Sequence, residues 1–183
     1  MILETNRLLI RPWCEADAAD LFVYASHPDV GPAAGWPAHQ SVEESREIIN
    51  TVLSQPETYA LVHKETGQVI GSIGLMIGKQ GGLDLPDSEA EIGYWLGQTL
   101  WGQGLVPEAC KAILDYGFSQ LDLDQIWCRA FVDNTKSQRV QEKLGFVYQY
   151  LLEDEYFPLI DSVKTERVSL LTREEWHTRK EQS

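Results

Sequence analysis

The chain has 183 residues, 43% of them apolar, and a formal net charge of −13 at pH 7. That length suits one domain, the apolar share excludes a disordered tail, and the acidic surplus argues against nonspecific binding to nucleic acid or anionic lipid. The three cysteines, Cys14, Cys110 and Cys128, are odd in number, widely spaced and form no C-x-x-C pair, which reads as reduced thiols in a cytoplasmic protein.

The opening MILETNRLLIRPW carries Glu4 early and no long apolar run, so it is not read as a secretory leader. No apolar run approaches the ~20 residues of a membrane span. RLLIRPW (Arg7 to Trp13) is rich in β-formers and predicts a first strand. EADAADLFVYASH follows as a helix with Leu21, Phe22 and Ala25 on one face. SVEES opens a second helix, with Ser41 as cap and Glu44 three residues on, the pattern of a capping box. Ser45, Ile49, Val52 and Leu53 then fall on one helical stripe.

Two β-rich runs flank KETG in TYALVHKETGQVIGSIGLMIG and predict a hairpin. The polar loop KQGGLDLPDSE leads into a strand, AEIGYWL. That strand stops in a turn holding Gly97, Gly102 and Gly104, and a helix is expected from about Pro107 to Leu121. QIWCRAFV (Gln125 to Val132) is the next strand, so strand, helix and strand predict a right-handed parallel crossover. NTKSQRVQEKLGF reads as a short helix capped by Asn134, with Val140 and Leu144 inward and Gly145 as its stop. FVYQYLLEDEYF and SVKTERVSLLT predict two antiparallel strands, and a last helix starts at Thr172 with Glu175 completing a capping box. The sum is a single α+β domain over residues 1–183 with a mixed, mostly antiparallel sheet and one parallel crossover. A doubly wound nucleotide fold would alternate strand and helix throughout.

The glycine turn between a strand and a helix is either a bare connection or a cradle for an anion. No Lys-Ser or Lys-Thr follows the glycines, so the turn is not a P-loop. A dinucleotide fingerprint needs a third glycine where Pro107 stands. A helix N-terminus with glycines before it can seat a diphosphate on backbone N–H groups without a lysine, and a proline is tolerated in the first turn.

Three segments, EIGYWL, WGQGLVPEA and NTKSQRVQEKLGF, resemble in order and spacing the GNAT superfamily of acetyl-CoA-dependent N-acyltransferases. LETNRLLIRPW and GWPAHQSVEES look like the branch that acetylates N-termini of ribosomal proteins, so the resemblance spans nearly the whole chain. It implies the GNAT fold, an α/β three-layer sandwich. The family's diphosphate loop, Q/R-x-x-G-x-G/A, maps onto Trp101, Gly102, Gln103, Gly104, Leu105 and Val106; Gly104 matches, while Trp101 and Val106 depart from the pattern.

By that resemblance the backbone of Tyr94, Trp95 and Leu96 pairs with the pantetheine arm of acetyl-CoA, the strand from Gln125 to Val132 splays away from it, Asn134 bonds the arm or the acetyl region, and Ser137 lies near the thioester sulfur. The expected reaction is direct attack of a primary amine, a protein N-terminus or a small amine, in a ternary complex. A backbone N–H near Leu96 is the candidate for polarising the carbonyl. Glu91 is the candidate general base, directly or through water, with Glu89 the weaker alternative. Glu91 also reads as an exposed strand-end carboxylate, and Ser137 as a first-turn residue bonding backbone. Ser137 is the candidate for protonating the thiolate. Trp36, Trp95 and Tyr156 are candidate walls of the acceptor pocket, and Glu153, Asp154 and Glu155 an acidic run in a loop or strand end. The four histidines show no metal-ligand spacing, and no metal is expected. The branch admits a homodimer. Two other readings stay open: a protein of the same fold that binds acyl-CoA or a protein partner without turnover, and an oxidoreductase or nucleotide enzyme using the GQG turn.

Overall fold

A computed structural model of the protein describes residues 1–182. Eight strands form: β1 (Leu3–Glu4), β2 (Leu8–Pro12), β3 (Thr58–His63), β4 (Val69–Ile77), β5 (Glu89–Leu96), β6 (Gln125–Phe131), β7 (Val147–Phe157) and β8 (Ser162–Thr172). Five α-helices accompany them: α1 (Ala18–Ala25), α2 (Val42–Ile48), α3 (Leu105–Ser119), α4 (Thr135–Leu144) and α5 (Arg173–Glu181). The hydrogen-bonded strand order is β1-β2-β3-β4-β5-β6-β8-β7, a mixed sheet in which β5 and β6 are the parallel pair. The chain resolves into two compact units, Met1–Gly74 with Tyr94–Ala112, and Leu75–Gly93 with Ile113–Ser183.

In the first unit β1 to β4 run as an antiparallel meander, with Leu3 opposite Ile10, Leu8 opposite His63 and Tyr59 opposite Ile73. Both faces are apolar at its centre, and Leu8, Ile10, Ala60 and Leu61 are wholly buried. Ala18, Leu21 and Ala25 of α1 close on Ile49, with Trp13, Trp36 and Trp95 packed against that cluster. The hairpin expected around KETG is present, with the His63 N–H bonded to Gln68 O at 2.9 Å. Ser41 caps α2 by accepting the Glu44 N–H at 3.1 Å, but the Glu44 carboxylate takes the Gln40 N–H rather than that of Ser41.

The stripe expected on this helix is overturned at one position. Val52 is 54% exposed, because the helix passes into a π turn over Ile49–Leu53. Wider i→i+5 turns rotate every later residue off the α-helical phase, so Ser45 and Ile49 stay buried, Leu53 is half-buried and Val52 faces out.

In the second unit β5 and β6 are in parallel register, Glu89 opposite Gln125 and Ile92 opposite Cys128. β8 lies antiparallel between β6 and β7. Gly117 of α3 lets the helix approach closely: a Cβ there would lie 3.1 Å from the side chains of Ile126 and Leu75. α4 ends in left-handed Gly145 (φ 95°), as its sequence predicts. The Thr172–Glu175 capping box of α5 is complete, and Trp176 of the same helix donates to Asp115 at 2.8 Å. The acidic run Glu153, Asp154 and Glu155 lies within β7, not in a loop, at a register shift against β8. Asp154 is left-handed there (φ 56°). Among the described residues no helix is long and apolar enough to cross a membrane.

The π turn makes a direct stability test. Ile49→Ala, which empties a buried site, is expected to cost about 2–5 kcal/mol. Val52→Ala is expected to change stability by no more than about 0.5 kcal/mol; a regular α-helix through Leu53 would bring the two costs together. Urea unfolding midpoints of the two variants distinguish these outcomes.

Candidate active site

The glycine turn belongs to the first unit. It leaves β5 at Leu96, whose carbonyl accepts the Trp101 indole N–H at 2.8 Å, and the Gly97 N–H is held by Ile70 O at 2.8 Å. Trp101 therefore anchors the turn to the strand end. Gly102 and Gly104 are both left-handed (φ 79° and 76°), a conformation that costs other residues about 1–2 kcal/mol. A Cβ at Gly102 would meet nothing within 4 Å, and one at Gly104 only Arg7 Nη2 at 3.7 Å. The outer side of the turn is open. The helix starts at Leu105, two residues earlier than expected, so Pro107 sits inside its first turn, where a missing N–H costs nothing. Leu105 is buried at 1% exposure and Val106 is half-buried, while Gly102, Gln103 and Gly104 are exposed.

Charge at this turn is balanced. Arg7 Nη1 donates to Gln103 O at 2.9 Å, and the same guanidinium pairs with Glu108 at 2.7 Å. Glu108 also accepts from Thr5 Oγ1 and the Arg7 N–H. Burial raises its carboxyl, but the Thr5 and Arg7 bonds outweigh that and hold it below the usual range. The acidic residue in the first turn of α3 is thus neutralised by Arg7, and a diphosphate at the helix N-terminus meets exposed backbone and a guanidinium. The residues present fit that group.

In the same unit Trp36 and Trp95 meet edge to face at 5.8 Å, and Trp13 stacks beyond Trp95 at 6.5 Å. The Trp13 N–H is spent on Ser72 Oγ at 3.2 Å. His39 packs on Trp36 at 5.3 Å and bonds Ser45 Oγ through Nδ1 at 2.8 Å. Burial lowers the His39 pKa against the opposing pull of Glu44. Two of the three expected acceptor walls, Trp36 and Trp95, therefore touch. The third, Tyr156, belongs to the second unit, is 59% exposed and donates its hydroxyl to Asp161 at 2.8 Å.

The second unit also holds Glu91, Asn134 and Ser137. Asn134 caps α4, accepting the Ser137 N–H at 3.1 Å; both residues are half-buried. Glu91 is the third residue of β5 and only 5% exposed, which overturns its reading as a solvated strand end. Its Oε1 accepts from Arg129 Nε at 2.8 Å and its Oε2 from the Gly82 N–H at 3.1 Å. Arg129 reaches on to Glu166 Oε2 at 2.6 Å. A Cβ at Gly81 would stand 2.7 Å from Glu91 Oε2, so glycine is what lets this loop close over the carboxylate. Glu89, the alternative base, accepts the Trp127 indole N–H at 2.6 Å.

Sequence reasoning missed Arg129, Glu166 and the His39–Ser45 pair. A signal existed for Arg129: an arginine inside the largely apolar run QIWCRAF is rarely buried unless paired. Among the described residues no group of three or more His, Cys, Asp or Glu side chains is arranged to hold a metal ion.

Residues 7–147 match the family described as Acetyltransferase (GNAT) domain. The uncharacterized N-acetyltransferase p20 of Bacillus licheniformis is 34% identical over 157 residues, covering 83% of this chain and 85% of that protein. The ribosomal-protein-serine acetyltransferase of Escherichia coli (strain K12) is 28% identical over 127 residues, covering 67% of this chain and 68% of that one. Among solved structures, an acetyltransferase (GNAT family) from Bacillus anthracis superposes with a TM-score of 0.82 at 24% identity, over 96% of this chain and all of that one, and shares the fold. With the glycine turn, the capped Asn134–Ser137 segment and the mixed sheet already placed, the match over residues 7–147 establishes that the chain belongs to the GNAT acetyltransferase family and is an N-acetyltransferase.

Proposed function

We propose that the protein works in the cytoplasm and moves the acetyl group of acetyl-CoA to a primary amine, with a protein N-terminus as the acceptor. The observation that carries this reading is the open turn with two left-handed glycines at the start of α3, beside Arg7. The likeness to a ribosomal-protein-serine acetyltransferase supports the choice of acceptor.

Acetyl-CoA supplies an acyl group already activated as a thioester. The backbone from Gly102 to Val106 holds its diphosphate, and the strand end Tyr94, Trp95 and Leu96 aligns its pantetheine arm; alignment alone removes several kcal/mol of barrier. A backbone N–H at the end of β5 polarises the carbonyl. The acceptor ammonium gives its proton to Glu91, directly or through water, and the neutral amine nitrogen forms the C–N bond as the C–S bond breaks. The proton that the nitrogen sheds as the amide forms goes to the departing thiolate, with Ser137 donating a hydrogen bond to the sulfur and relaying that proton, and Asn134 both caps α4 and contacts the arm. Trp36 and Trp95 wall the acceptor. No covalent enzyme intermediate is needed, so none of the cysteines needs to act as a nucleophile.

Thermal unfolding is the first check. Acetyl-CoA and CoA at 100 times their Kd are expected to add about 2.7 kcal/mol each, and NAD nothing; no shift with either CoA species removes the reading. Gly104→Ala, forced into left-handed backbone, is expected to weaken CoA binding about tenfold, a loss of about 1.4 kcal/mol, as isothermal calorimetry would read. Ser137→Ala and Glu91→Gln are expected to retain CoA binding while kcat falls by about 10²-fold or more. Unchanged turnover in either variant takes that residue out of the mechanism.

A further inference from the structure

Gln141 carries a buried amide that the fold does not use. It stands in α4 at 2% exposure, and its Oε1 and Nε2 are both sealed from solvent with no hydrogen-bond partner among the described residues. Its backbone is satisfied, the carbonyl accepting the Phe146 N–H at 3.0 Å where Gly145 ends the helix, so the deficit belongs to the side chain alone. The other such atom among the described residues is Arg167 Nε, but that guanidinium is otherwise engaged, 3.5 Å from Glu142 and over the Tyr148 ring. The second glutamine facing in from α4, Gln138, donates to the carbonyls of Phe131 and Val132. An apolar side chain at 141 would fill the same space without stranding a donor and an acceptor, which are costly to leave unmade. A buried polar group in that condition calls for a role.

Helix geometry says where that amide lies. Residues four apart share one face of an α-helix, their Cβ atoms about 5–6 Å from each other, and helical side chains lean toward the N-terminus, over the turn before them. The residue one turn before Gln141 is Ser137. The inward face of α4 runs Asn134, Ser137, Gln141 and Leu144, half-buried at the first two and buried at the last two. Asn134 Oδ1 accepts the Ser137 N–H at 3.1 Å, so the backbone of Ser137 is held from the turn before it and its side chain is followed, one turn on, by the unpaired amide.

We infer that Gln141 is the positioning residue of Ser137: with the thioester in place its Nε2 donates to Ser137 Oγ and fixes the hydroxyl in the rotamer that aims its O–H at the sulfur. The inference rests on the acetyl-transfer reading and deepens it. Gln141 touches neither substrate nor sulfur, and as a neutral amide it carries no proton. The proton passes from the acceptor nitrogen to the departing thiolate by way of Ser137. Donation from Gln141 strengthens the Ser137 O–H as a donor, since hydrogen bonds in a chain polarise one another. A leucine at 141 would pack in the same space and leave the hydroxyl to distribute over its staggered rotamers.

The test sets turnover against stability in the full-length protein, because a packing role and a positioning role differ in sign. Gln141→Leu removes the amide and keeps the bulk. It is expected to leave the urea midpoint unchanged or raised, to leave the CoA Kd from calorimetry and the KM for acetyl-CoA and for a tetrapeptide amide beginning with serine unchanged, and to lower kcat about tenfold, the loss of one hydrogen bond. Gln141→Met, as long as glutamine but without its polar atoms, is expected to give the same split and stands in if the leucine variant does not fold. In the double variant with Ser137→Ala, kcat is expected to fall no further than in Ser137→Ala alone, since Gln141 acts only through that hydroxyl. A folded Gln141→Leu or Gln141→Met protein with wild-type kcat overturns the inference. So does a loss that adds in full to that of Ser137→Ala, or a lowered urea midpoint with kcat and CoA affinity falling together, which is the mark of packing. A wild type that neither binds CoA nor acetylates the peptide would instead sink the acetyl-transfer reading itself, which keeps the two failures apart.

Discussion

Glu89 to Ile92 run parallel to Gln125 to Cys128, and parallel strands cannot be joined by a tight hairpin. They need a crossover, usually a helix. That constraint puts α3 after β5, and with it a helix N-terminus immediately beyond a strand end. Backbone N–H groups are left over there, and the chain must turn sharply to enter the helix. Gly102 and Gly104 make the turn through left-handed backbone, Trp101 ties it to Leu96, and Leu105 is buried as its anchor. The cofactor seat in the proposed function is therefore a by-product of closing a parallel pair, completed by Arg7, which offsets Glu108 in the first turn of α3.

The two units use charge differently. At the turn every ionised side chain named has an opposite partner, which suits a seat that must receive an anion. In the Glu91–Arg129–Glu166 triad one guanidinium serves two buried carboxylates. The overall charge of −13 does not report on either arrangement, since it is spread over the whole chain and screened by salt within about 8–10 Å. What matters is local balance in surroundings of low dielectric, where a single uncompensated charge is felt strongly.

Local signals in the sequence carried most of the elements. Asn134 with Ser137, and Thr172 with Glu175, sit three residues apart and cap helices as read; Gly145 ends α4 in left-handed backbone; the KETG hairpin and the parallel crossover are present. The errors lie where a non-local or non-periodic fact intervened. Val52 is exposed because a π turn breaks the period on which the stripe depended. The setting of Glu91 was illegible because its partner Arg129 lies 38 residues away and the next link, to Glu166, spans another 37. No window of sequence shows such a contact. Trp36 and Trp95, two of the three candidate walls of an acceptor pocket, touch each other, whereas Trp13, the third ring of that stack, gave no local sign of joining it.

The strand order of the second unit has a consequence for how the chain is completed. β8 is the last strand in sequence, yet it lies between β6 and β7. β7 has therefore no sheet to join until the chain has been made as far as Thr172 and has folded back on itself, with Tyr148 opposite Ser169 and Phe157 opposite Ser162. A nascent chain that stops short of Ser162 has a β7 with no partner strand and leaves the far edge of β6 open. Sheet closure in this unit therefore waits for β8, and a chain interrupted before it leaves an unfinished edge of the kind that recruits other chains.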